Sequence, residues 1–346
     1  MAGCVKGGGN DTGHCGTQRI AHTSFASDLL FSYASLFFIS GYFEKDKYDL
    51  FRAVLIKRGE RLIYPYFAYG GLIIIYNTIY YYSTAGNMAK QILKRVIALI
   101  YGNFVFENNY AYIGTLWFLV ASFCVSILFY WFYRTKNKWK YSIGVITIGF
   151  VETWTEKKLH FRLPWCFDIA MVAFSFSIAG YLFKEYKEKV SNRKIQLYGG
   201  IILGITGVFG GCLNTQYMIA KGYDIARTDM LYLNWGCVPL FLFSGISISI
   251  SVTLIAQFIF SRYHILMLEY IGRNSLNIMA VHLYIIQIIS RVSRKMNFPA
   301  KSWVIFLVTT FLSIAASWII EKYFPCLNDC AKLKAFIKCK ERKEDT

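Results

Sequence analysis

Five histidines, at positions 14, 22, 160, 264 and 282, are the side chains of this chain best suited to move protons near neutral pH. His282 stands inside the apolar run SLNIMAVHLYIIQIIS (275–290), where a polar side chain normally faces a cavity or a bundle interior. It reads either as a base or substrate contact, or as a tie between helices. His22, in AHTSF (21–25), precedes the first long apolar run, where an ordinary loop histidine is the plainer reading. Arg58 and Arg61, with Lys57, sit in KRGERLIYPYF (57–67). Two arginines three apart share one helix face, and the planar guanidinium grips phosphate in a bidentate fork. Plain anchoring of a basic loop is the alternative.

Asp168 is the one carboxylate of LPWCFDIAMVAFSFSIAGYLF (163–183). Acids at membrane depth are costly, and are usually paired or functional. Trp117, at a similar depth in GTLWFLVASF (114–123), offers a platform for a sugar ring or one member of an interfacial belt. Asn214 and Asn234 bracket a polar loop and have hydrogen-bonding groups for a glycan. Gly200, Gly204, Gly207 and Gly211 repeat at the spacing of close helix packing rather than of a phosphate loop. The nine cysteines form no CxxC pair and no recognised ligand spacing, which implies neither a metal site nor a disulfide framework. No Walker sequence, GxSxG elbow or Ser-His-Asp signature occurs.

The elements that must position these residues are membrane helices. Of 346 residues 55% are hydrophobic and only 17% charged, with mean hydropathy +0.38, whereas soluble domains carry about a quarter charged residues. Apolar runs long enough to cross about 30 Å of hydrocarbon recur along the chain. The expected fold is an all-α integral membrane protein with about nine transmembrane helices, near 25–43, 62–82, 111–133, 142–156, 163–183, 196–213, 235–260, 274–291 and 302–323. The 88–101 stretch is amphipathic and is expected at the interface. Three regions follow: a polar segment at 1–24, a transmembrane domain at 25–323 and a basic tail at 324–346.

A net charge of +18 would suggest nucleic acid in a soluble protein, but here Lys and Arg concentrate in loops. Alternate loops (44–61, 134–141, 184–195, 261–273 and the tail after 321) hold 24 of the 38. The positive-inside rule makes that set, and the C-terminus, cytoplasmic. Residues 1–24 have no apolar core and are not a signal peptide. An outside N-terminus is therefore unexpected. A further span ahead of residue 25 would place both ends inside.

Five motifs, in order, resemble the acyltransferase 3 family of membrane O-acyltransferases. They are LFFISGYF (36–43) with KRGERLIYPYF, then GTLWFLVASF, the LPW-to-GY run at 163–183, and LEYIGRNSLNIMAVH (268–282). The nearest likeness is to small sugar O-acetyltransferases of the fucose 4-O-acetylase type. The resemblance implies a ten-helix bundle, here without its first span. It also implies transfer of an acyl group, usually acetyl, from acetyl-CoA or another acyl-CoA co-substrate, with no tightly bound cofactor. The acceptor would be a hydroxyl of a cell-envelope glycan or its lipid-linked sugar precursor, at the plasma membrane among lipid.

The resemblance also exposes departures. The family's catalytic histidine ends a first span that has no counterpart here, and Tyr33, in SYAS (32–35), stands where a histidine is expected. Tyr33 and His282, with His22 as a relic of the lost motif, are then the catalytic candidates. Arg58 and Arg61 are the donor-binding candidates, and Trp117, Asp168 and Asn214 the acceptor-binding ones. An inactive, glycan-binding member and a transporter of lipid-linked saccharide are the competing classes.

Overall fold

The structure, a computed structural model, describes residues 33–47, 49–80, 88–102, 114–159, 162–187, 189, 192–223, 226–295 and 302–328. Within these residues the chain is almost wholly helical. Seven stretches are long and apolar enough to cross a membrane: Phe51–Ile79, Gly114–Arg134, Pro164–Lys187, Arg193–Ala220, Val238–Phe260, Ser275–Ser293 and Trp303–Tyr323. They answer seven of the nine expected spans. The run near 142–156 lies in a helix, Lys138–Leu159, that is too polar to join them. The run at 25–43 is described only from residue 33, as helix α1 (33–42).

The chain divides into two compact units, Met1–Phe43 with Phe176–Phe258, and Glu44–Ser175 with Ile259–Thr346. In the first, α1 meets the second half of α7 (Phe167–Lys187) at two glycines. Gly41 lies against the Ser177 carbonyl and Gly180 against that of Phe38, with no room for a methyl group at either. The Ser177 hydroxyl donates to the Phe37 carbonyl at 3.0 Å. Helices α8 (Arg193–Ala220) and α9 (Val238–Phe260) pack through the glycine repeat of α8. A β-carbon on Gly204 would stand 2.6 Å from the Ser251 hydroxyl, and one on Gly207 2.7 Å from Ile248. Small residues let membrane helices approach until dispersion contacts do the work that water does elsewhere. Gly210, rather than the expected Gly211, continues that face against Phe243.

The second unit begins with α2 (Phe51–Arg58), which runs through a π-helical turn, Gly59–Ile63, directly into α3 (Tyr64–Tyr80). The expected cytoplasmic loop is therefore helical from residue 51. Helix α4 (Met88–Tyr101) buries Arg95, Ala98 and Leu99. Tyr66 of α3 donates to the Leu99 carbonyl at 2.7 Å, and Arg95 donates to Thr78 at 3.1 Å. The opposite stripe, Leu93, Ile97 and Ile100, is exposed, which accounts for the amphipathic pattern.

Helix α5 (Trp117–Arg134) is largely buried and supplies Phe129 and Phe132, packed edge-on against Phe174. Helix α6 (Lys138–Leu159) follows. The unit closes with α10 (Leu266–Arg273) and the packed pair α11 (Ser275–Lys295) and α12 (Ser302–Tyr323).

Polar contacts join the basic segments at one end of this unit. Arg134 reaches Asp46 at 3.5 Å, Asn274 donates to Glu321 at 3.2 Å, and Tyr64 donates to the Cys326 carbonyl. Segments that the charge count assigns to one side of a membrane are thus gathered together.

Candidate functional site

At that basic end of the second unit lies a cavity of about 450 Å³. Lys57, Glu60 and Arg61 form one wall, from α2 and the π turn. Asn274 and Glu321 face them from the α11 and α12 ends, and Pro325 and Asn328 complete the lining. Lys57 and Arg61, four apart, line the cavity together. An unbroken α-helix would put Arg58 near that face as well; the i→i+5 bonding of the π turn widens the helix here and sets Arg58 off it. Arg58 turns away, and one of its terminal nitrogens donates to both carboxylate oxygens of Glu44 at 2.6 Å. Charge-assisted contacts this short are among the strongest available to a side chain. Neither Lys57 nor Arg61 makes an ion pair among the described residues.

Beside the cavity, the Tyr69 hydroxyl lies 2.8 Å from Asn277 Oδ1 and 2.9 Å from Asn328 Oδ1, all within the unit, and its single proton serves one of the two at a time. Farther along α11 stands His282, half-buried. Its Nδ1 lies 2.9 Å from the Met279 carbonyl and 3.2 Å from that of Ile278. Carbonyl oxygens only accept, so Nδ1 carries the proton, and the Nε2 lone pair is left to take another. One flank of His282 is the turn Gly114–Leu116 ahead of α5, where Thr115 donates to Met279 at 2.6 Å. Asn274, just ahead of α11, meets Glu321 near the end of α12, so His282 and Ser313, each eight residues farther along the packed pair, stand at about the same level.

The remaining expected residues lie elsewhere. Asp168 is fully buried at the start of α7, accepting from Arg162 at 2.6 Å, while Arg162 also meets Glu156 at 2.9 Å. Tyr101 donates to the Arg162 carbonyl above them. This cluster rests on a strained corner: Trp165 and Cys166 have φ of 61° and 51°, a left-handed conformation uncommon outside glycine. Gly102, itself at φ 71°, fits against the Trp165 backbone where a β-carbon would come within 2.9 Å. Trp117 is 2% exposed, and its ring presents no open face.

Asn214, in the first unit, is 1% exposed. It donates to the Trp235 carbonyl and accepts from the Cys237 amide, tying α8 to the residues just ahead of α9 with the groups that were expected to meet a glycan. Asn234 likewise donates to the Arg227 carbonyl. Tyr33 sits half-buried on α1 of the first unit, and His22 lies outside the described residues.

Sequence reasoning missed Arg162, Glu156, Asn274, Glu321 and Asn328. A signal existed for two of them, because Asn274 and Glu321 cap opposite ends of adjacent apolar runs. Arg162 and Glu156 were hidden by their place in a short polar stretch that looks like any loop.

Long apolar helices in both units, with a polar cavity at the basic end of the second and a histidine farther along its α11, define a polytopic membrane protein. The sequence model of the acyltransferase 3 family, described as an acyltransferase domain, matches residues 23–322. The chain belongs to this family. No curated protein matches it, and no solved structure does.

Proposed function

We propose that this acyltransferase moves an acetyl group from acetyl-CoA to a sugar hydroxyl of a cell-envelope polysaccharide or its lipid-linked precursor, at the plasma membrane. The C-terminus and the Lys57–Arg61 cavity would then be cytoplasmic, the side where acyl-CoA resides. Family membership carries the reaction class. The observation that carries the chemistry is His282, with Nδ1–H held by its own helix and Nε2 left as a proton acceptor.

In this reading the acceptor oxygen attacks the thioester carbonyl as Nε2 takes the hydroxyl proton. The tetrahedral intermediate then collapses, the C–S bond breaks, and the proton passes from His282 to the departing thiolate to give the free thiol. Lys57 and Arg61 hold the donor's phosphates, and Arg58, locked by Glu44, keeps the turn in shape. Glu321, on the facing side of the cavity, keeps the phosphates to the Lys57–Arg61 wall.

The test is acetyl transfer from radiolabelled acetyl-CoA in membranes containing the chain. Incorporation into glycan that His282→Ala abolishes is expected. Full transfer by His282→Ala would remove the proposed base. Binding of glycan without transfer by the unaltered chain would favour the non-catalytic reading that Tyr33 suggests.

A further inference from the structure

Helix α12 carries Thr309, Ser313, Ser317 and Glu321 at successive intervals of four, so all four lie on one face. The three hydroxyl residues are 5%, 0% and 0% exposed. None of their oxygens has a hydrogen-bond partner among the described residues. A buried hydroxyl left without a partner costs about 1–3 kcal/mol, and here three stand in file. Helix α12 packs chiefly on α11, and the same register sets Ile278 level with Ser317, His282 with Ser313 and Ile286 with Thr309. The file starts at Glu321 on the cavity wall and runs about 18 Å along the helix to Thr309. It passes the level of His282 at Ser313.

This arrangement fits one class of ligand. The cavity offers Lys57 and Arg61 to an anionic head, with the carboxylates of Glu60 and Glu321 in the same lining. The file beyond it offers neutral groups that both donate and accept, matching a linear chain of amides. A base stands level with the file's middle. We propose that the α11–α12 seam parts from the cavity end and takes in the amide-bearing arm of an acyl thioester whose phosphates rest on Lys57 and Arg61. The hydroxyls of Ser317 and Ser313 then bond the arm's amides and deliver the thioester to His282. This rests on the reading of the cavity as the acyl-donor site, and adds the path by which the reactive end travels. It makes Ser313, Ser317 and Thr309 donor-binding residues.

The experiment uses the full-length chain in lipid nanodiscs, with single variants Ser313→Cys and Ser317→Cys, and Asn328→Cys at the cavity mouth. Each is treated with a charged methanethiosulfonate reagent, with and without coenzyme A, and modification is read by peptide mass spectrometry. Thiol for hydroxyl is a near-isosteric change, and unchanged elution in size-exclusion chromatography confirms folding. The expected result is slow modification at residues 313 and 317, slowed roughly tenfold by coenzyme A at ten times its Kd. Protection at 328 but not at 313 and 317 overturns the seam and leaves the donor cavity standing. Protection at none of the three removes the donor cavity, and the seam with it. Absence of modification at 313 and 317 under both conditions also overturns the proposal, since the seam then stays shut.

A kinetic readout runs beside it. The triple change Thr309→Val, Ser313→Ala, Ser317→Ala should raise KM for acetyl-CoA roughly tenfold, about one net hydrogen bond's worth of binding. An unchanged KM contradicts the assignment.

Discussion

Arg58 and Arg61 are three residues apart and serve different partners. Arg58 is clamped on the Glu44 carboxylate at 2.6 Å, whereas Arg61 opens onto the cavity beside Lys57. The π turn between Gly59 and Ile63 separates them. Alanine at the two positions should therefore fail in different ways. Arg61→Ala is expected to raise the KM for acetyl-CoA by about tenfold or more, the loss of one charge-assisted contact, with no change in melting temperature. Arg58→Ala should lower the melting temperature, Glu44→Ala should lower it similarly, and the double variant should be little worse than either. Equal KM effects from both arginines would mean that Arg58 leaves Glu44 to meet the donor.

A second prediction concerns Asp168 and Arg162. Both are buried, and Glu156 leaves the trio with one negative charge in excess. Removing one partner of a buried pair strands the other, which costs about 3–5 kcal/mol. Asp168→Leu and Arg162→Met should each destabilise the protein strongly in detergent, by thermal melting. Arg162→Met is expected to be the worse, because it strands two carboxylates. The double variant Asp168→Leu/Arg162→Met should recover part of the loss. Additive losses would show that the two residues do not act as a pair.

The helices were legible in the sequence because membrane spans announce themselves by length and hydropathy. What each motif is for was less legible. The glycines of FFISGYF and FSIAGYL look alike in sequence, and only the structure shows that they meet at one helix crossing. Asp168 was visible as an anomaly, but its partner Arg162 stood in a segment with no periodicity to place it. Arg58 and Arg61 face different partners, Glu44 and the cavity, and the sequence does not show it, because a π turn has no sequence signature and i,i+3 spacing carries its meaning only in an α-helix. Asn214 looked like a ligand contact because polarity in a loop says nothing about whether its bonds are already satisfied.

His282 supports a third prediction. With Nδ1 committed to backbone carbonyls, only Nε2 is left for catalysis. His282→Ala should cut kcat by about 10²–10⁴, the usual range for loss of a general base, while KM for acetyl-CoA stays within a factor of about two. Added imidazole should restore part of the rate to the alanine variant. A rise in KM with kcat intact would instead make His282 a binding contact.

Gly41 and Gly180 form a reciprocal helix crossing. Each backbone presses on a carbonyl of the other helix, Gly41 on Ser177 and Gly180 on Phe38, so even a methyl group must push the helices apart. Widening a close crossing forfeits dispersion contacts along its whole length, and in a membrane no hydrophobic effect restores them. The hydrogen bond from Ser177 to the Phe37 carbonyl, at 3.0 Å, would lengthen with it. Gly41→Ala and Gly180→Ala should each lower the melting temperature. Gly199→Ala, at a helix position with nothing within 4 Å, should leave it unchanged or raise it slightly, since alanine is the better helix former. Because both carbonyls belong to the same crossing, the double variant Gly41→Ala/Gly180→Ala should cost less than the sum of the two: one methyl group already opens most of the gap the second needs. Strict additivity would mean that the two contacts yield independently, and that the paired GY motifs do not form one mechanical joint.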